Sequence, residues 1–72
     1  MLKIDVLKEL IGDRLLKDKV YNELGITQET IGQSFRRCLK QGKPSGKSHD
    51  AEVLRIIEKH LKRTKNELYD AE

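Results

Sequence analysis

Apolar residues recur along this chain at three- and four-residue intervals, broken by glycine or by a short polar residue able to cap a helix. Ile4, Val6, Leu7, Leu10 and Ile11 fall largely on one helical face, and Gly12 interrupts them. Asp13 can then cap a second helix, Arg14 to Leu24, in which Leu16, Val20 and Leu24 stand one turn apart with Tyr21 beside them. Gly25 suits the left-handed conformation of a helix end, Ile26 plugs the turn, and Thr27 caps a third helix running from Gln28 to about Gln41. Its inward set is Ile31, Phe35, Cys38 and Leu39. The outward set is Gln28, Glu29, Gly32, Gln33, Arg36, Arg37 and Lys40. Asp50 opens a fourth helix with Val53, Leu54, Ile57 and Leu61 inward and Ile56 at the edge of the stripe. Thr64 with Glu67 forms a capping box for a short fifth helix burying Leu68 and Tyr69. Residues 70–72 should fray. No stretch alternates apolar and polar over four positions, so the expected fold is all-α: one domain, residues 1–72, of about five short helices.

Residues 42–48 read GKPSGKS, a flexible connection in which Pro44 stops the third helix. The last letters evoke a nucleotide-binding P-loop. That motif needs four residues between its glycines and a strand before it, whereas three separate Gly42 from Gly46 and a helix precedes them. No nucleotide or other cofactor is expected.

Charge changes the picture more than composition does. The net charge is only +3, yet residues 1–24 hold five bases and five acids, residues 51–72 again five and five, and residues 25–50 five bases against Glu29 and Asp50. The excess therefore lies with Arg36, Arg37, Lys40, Lys43 and Lys47, and a polyanion is the natural partner for it. A solvated basic face that only keeps the protein soluble is the bland alternative. Cys38 is the sole cysteine, which rules out an intrachain disulfide and suits a small core residue in a reducing, cytoplasmic setting. His49 and His60 have no cysteine pair near them, so no metal site is expected and surface roles suffice for both. No serine, histidine and acid set points to an enzyme. The first residues carry Lys3, Asp5, Lys8 and Glu9 among their apolar positions, so neither a secretion signal nor a membrane span is expected.

The residues around the glycine turn, Leu24, Gly25, Ile26 and Ile31, resemble the helix-turn-helix of the Cro and phage-repressor type, the lambda-repressor-like family. The tail through Leu54, Ile57, Leu61, Thr64, Glu67 and Leu68 is similar to that family's closing pair of helices. Three positions depart from its pattern. Tyr21 stands where the scaffold helix usually has a small residue, Ser34 where the recognition helix usually buries an apolar one, and the interval from Gly25 to Gly42 is longer than usual. Taking residues 27–37 as the scaffold helix instead leaves no apolar recognition helix before Gly42. The resemblance implies a DNA-binding transcription regulator, often a phage or mobile-element repressor and often a homodimer on a two-fold operator.

On that reading Gln28, Thr30 and Gln33 meet bases, and Arg36 and Arg37 meet base edges or the backbone. Thr27 at the helix N-terminus meets a phosphate. Lys40, Lys43 and Lys47 add sequence-independent attraction, with Arg14 or Lys17 on the opposite strand's backbone; for Lys43 and Lys47 plain solvent-facing charge is an equal alternative. Gly32, which costs about 1 kcal/mol of helix propensity against alanine, marks either a close approach or neutral slack. Ile56, Leu68 and Tyr69 are candidate dimer contacts. The rival from another class is a helical protein-interaction module, an adaptor or inhibitor with an incidental basic surface.

Overall fold

The computed structural model describes residues 1–44 and 46–70. The order is α1 (Ile4–Ile11), α2 (Arg14–Leu24), α3 (Gln28–Gln41), a 3-10 turn (Gly46–His49), α4 (Ala51–Leu61) and α5 (Lys65–Leu68), an all-α fold. α2, α3 and α5 begin where short polar side chains meet the free amides of the first turn, while Lys3 before α1 makes no side-chain cap. Asp13 Oδ1 accepts the Leu16 N–H at 3.1 Å, and Thr27 Oγ1 accepts that of Thr30 at 3.2 Å. Glu67 folds back to accept the Thr64 N–H at 3.0 Å, the return half of its capping box. Asp50 departs from expectation. Its side chain makes no capping bond and lies instead 3.8 Å from Lys47 Nζ.

Gly25 ends α2 at φ 73°, and its N–H reaches the Tyr21 carbonyl, so the chain reverses within three residues and α3 starts against the helix it has just left. α3 is the central element, packed on α1, α2 and the 3-10 turn, while α4 closes over α2 and the same turn. Phe35, Ile31 and Cys38 are fully buried at its middle, joined by Val6, Leu7 and Leu10 of α1, Leu16 and Val20 of α2, and Val53 and Ile57 of α4. Leu39, Leu54 and Leu61 pack only partly against them.

The structure corrects several expectations. Ile4 and Tyr21 are each 53% exposed, because α1 and α2 are covered on one side only. Ile56, expected at the edge of its stripe, is 7% exposed and belongs to the core. Gly32 and Ser34 are buried alongside Phe35, so α3 buries a face wider than its apolar residues mark. Part of the 42–48 connection is tied down: the Lys47 N–H reaches Ser34 Oγ at 3.3 Å, and Ser48 is fully buried. Ser45 within that connection, and Ala71 and Glu72 of the expected frayed end, lie outside the described residues.

The two ends of the described chain meet. Leu2 forms an antiparallel bridge with Tyr69, the Lys3 N–H donates to the Leu68 carbonyl at 2.8 Å, and the Asp70 N–H donates to that of Met1 at 2.9 Å. Leu2 is fully buried and Asp70 is held rather than frayed. No helix among the described residues is long and apolar enough to cross a membrane.

Candidate nucleic-acid interface

Burial of Ile31, Ser34, Phe35 and Cys38 turns the other side of α3 outward, and Glu29, Thr30, Gln33, Arg36, Arg37 and Lys40 are all exposed on it. The two ends of this face differ in chemistry. Its first turns carry amides and hydroxyls, its last turns Arg36, Arg37 and Lys40, followed by exposed Lys43. Among the described residues none of these four cations takes part in an ion pair within the chain. Cations in the last turns of a helix also suit its dipole, which alone accounts for Lys40.

The amide end is braced. Gln28 Nε2 donates to Asp18 Oδ1 of α2, and because a carboxylate only accepts, this contact selects which end of the Gln28 amide faces α2. The Thr27 hydroxyl donates to Thr30 Oγ1 at 2.8 Å while accepting the Thr30 N–H. Gln33 Nε2 reaches Glu29 Oε1 at 3.5 Å, the outer limit of a hydrogen bond. Gln28, Thr30 and Gln33 thus share the N-terminal half of α3 with Thr27 at its cap.

The remaining expected contacts separate. Arg14 is exposed at the start of α2. Lys17 is half-buried and engaged within the chain: its Nζ donates to the Ile11 carbonyl at 2.6 Å, closing the C-terminal end of α1, and its Nζ and Cε lie beside Gly32. A Cβ on Gly32 would stand 3.5 Å from that Nζ, an ordinary contact, so the contact covers Gly32 without requiring glycine there. Lys47 is exposed but shares its charge with Asp50. Leu68 is fully buried in the chain's own core and so offers no dimer contact, and Tyr69 turns its hydroxyl to Glu58 Oε2 at 3.4 Å. Burial, then Glu58, raises the Tyr69 pKa above its ordinary value.

Neither histidine has the surface role that its surroundings in sequence suggest. The ring of His49 lies between Leu2, Ser48 and Cys38: Nε2 accepts the Leu2 N–H at 3.0 Å, and Nδ1 lies 2.9 Å from Ser48 Oγ and 3.9 Å from Cys38 Sγ. An acceptor at Nε2 requires the neutral ring, and burial with the nearby N-terminal charge lowers the His49 pKa accordingly. Burial pushes the Cys38 thiol up, against a hydrogen bond from Ser48. His60 Nε2 lies 2.8 Å from Asp13 Oδ2 and its Nδ1 3.1 Å from Lys19 Nζ, linking the end of α4 to the cap of α2. Arg63 makes a two-pronged pair with Glu9 of α1, both contacts at 3.0 Å. Asp18, His49 and His60 escape a reading of local spacing. His49 and Leu2 are 47 residues apart, as are His60 and Asp13, and no helical periodicity carries such a pairing.

Compared with protein-family models, curated proteins and solved structures, the chain matches none.

Proposed function

We propose that this protein is a sequence-selective double-stranded DNA-binding regulator that presents the exposed face of α3 to the major groove. The observation carrying this reading is the division of that face, with braced amides and hydroxyls in its N-terminal half and, in its C-terminal half, Arg36, Arg37 and Lys40, which form no ion pair among the described residues. Side chains near the start of a recognition helix read base edges, and cations further along bind phosphate without regard to sequence. The glycine reversal between α2 and α3 supports the helix-turn-helix assignment, with α2 as the scaffold. Gln28, Thr30 and Gln33 are assigned to bases, Arg36 and Arg37 to base edges or backbone, and Thr27, Lys40, Lys43, Lys47 and Arg14 to phosphates. A cytoplasmic repressor of a phage or mobile element, working as a homodimer, is the fuller form of the proposal. A single module of this kind commonly buries about 600 to 1,000 Å² on DNA, so pairing two would extend its reach.

Fluorescence anisotropy against pooled random duplex DNA at two salt concentrations tests it, with Arg36→Ala, Arg37→Ala doubly substituted protein beside wild type. Binding that weakens steeply with salt and is lost in the variant is the expected result. Affinity indifferent to salt, or unchanged by removing both arginines, overturns it. One observation favours a second reading, a protein-interaction module: Leu15 is 68% exposed on α2. A salt-indifferent protein complex lost on Leu15→Ser would establish that reading instead.

A further inference from the structure

Asp18, half-buried on α2, reaches across the glycine reversal and accepts a hydrogen bond from Gln28 Nε2 in the first turn of α3. Charge alone does not account for an acid at this place. Asp18 lies past the first turn of α2, where the helix dipole no longer favours it, and it forms no ion pair among the described residues. The phosphates of a duplex lying against α3 would repel it.

What the carboxylate supplies is direction. The Gln28 amide donates at one end and accepts at the other, and the two ends are nearly the same shape, so without a constraint either could be offered to a base. Asp18 only accepts. It therefore holds Nε2 and leaves the acceptor Oε1 as the end turned away from α2. Gln33 repeats the arrangement more weakly, with its Nε2 3.5 Å from Glu29 Oε1. In the major groove each base pair shows one exocyclic amino group, on adenine or cytosine, beside a carbonyl on thymine or guanine. An outward Oε1 accepts from the amino group and is repelled by the carbonyl oxygen. We propose that Asp18 is a positioning residue for sequence reading: by fixing the Gln28 amide it makes this protein take the amino-bearing base, adenine or cytosine, of the pair that Gln28 faces, and refuse the same pair turned around. The inference rests on the DNA-binding proposal and deepens it by naming what one of its contacts reads.

Selection from a randomised duplex pool, followed by affinities for the selected duplex, tests it. Gln28→Ala should lose its preference at one base pair and so locate it. There wild type should favour the pair over its reverse by about fivefold or more. Removing the amino group, with purine for adenine or 2-pyrimidinone for cytosine, should weaken wild type by a similar factor and leave Gln28→Ala unaffected. Asp18→Asn should bind the pair and its reverse nearly alike, because an asparagine amide lets Gln28 face either way. The double variant Asp18→Asn, Gln28→Glu again turns an acceptor outward at unchanged net charge, and should restore the discrimination. A purely structural Asp18 would change affinity for all duplexes alike and would not be rescued. Thermal melts by circular dichroism check that each variant is folded. Amide signals of the Gln28 side chain in magnetic resonance spectra of the free protein should move on Asp18→Asn, and signals that stay in place overturn the inference without recourse to DNA. Discrimination unchanged in folded Asp18→Asn, or indifference of wild type to the amino group, sinks this inference and leaves the regulator standing. A wild type that binds no duplex at low salt sinks both.

Discussion

The imidazole of His49 accepts the backbone N–H of Leu2 at 3.0 Å, and through this one ring the N-terminal segment, the 3-10 turn and Cys38 of α3 are held together. The bond exists only while Nε2 is unprotonated. The segment it secures is the one that pairs with Tyr69 and Leu68 at the other end of the chain.

Acid should therefore loosen this corner. The His49 pKa is lowered by folding from its ordinary 6.5, so the unfolded chain takes up the proton first. Its contribution to stability is intact above about pH 6.5 and is lost as pH falls through the window beneath. Urea unfolding at pH 7.5 and pH 5.5 measures it. His49→Ala should cost about 1 to 2 kcal/mol at the higher pH and reduce the difference between the two. An unchanged difference would show that His49 is not the titrating group.

Asp13 should matter at lower pH. Burial opposes its ionisation, but the Leu16 amide and His60 outweigh burial and hold its pKa below 3.8. The carboxylate thus contributes stability that is complete above that value and disappears as pH falls through the lowered pKa. Asp13→Ala should cost about 1 to 2 kcal/mol at neutral pH, the usual loss on removing an N-cap. Its unfolding curve should also be flatter than that of wild type between pH 4 and 2. Equal acid sensitivity in both proteins would assign the effect to other carboxylates.

Gly46 is required by its conformation and by its neighbour. Its φ is +57°, and a Cβ there would come within 3.0 Å of Ser34 Oγ. Gly46→Ala should destabilise the fold by about 1 to 2 kcal/mol, read as a lowered urea midpoint. Wild-type stability in the variant would mean that the turn can move away from Ser34 without cost.

Lys17 and Arg36 should differ on DNA although both are cationic. Lys17 is tied to the Ile11 carbonyl, whereas Arg36 is exposed on the outer face of α3. On the proposed function, Arg36→Ala should reduce the slope of log affinity against log salt by about 1, and Lys17→Ala should leave it unchanged while lowering stability. A slope reduced equally by both would return Lys17 to the interface.

The helix boundaries were legible because each is set within a few residues. Asp13, Thr27 and Thr64 stand beside the amides they serve, and Gly25 takes up its left-handed conformation without reference to anything distant. Ile31, Phe35 and Cys38 were legible as core for the same reason, since helical periodicity is a local property. Of the expected interface, Gln33, Arg36, Arg37 and Lys40 are on the outer face of α3 as their spacing implies, whereas Lys17 and Gly32 are turned toward each other. Their fate depends on how α2 lies across α3, which periodicity within either helix does not encode.

Sequence by itself therefore determined an all-α chain, the bounds of its helices and the basic character of α3. Tertiary structure alone decided that Leu2 is core and that His49 and His60 join segments 47 residues apart. The division follows from the range of the forces. Capping bonds and helical spacing act over one or two turns, while a hydrogen bond between distant segments is specified only once packing has brought them within 3 Å.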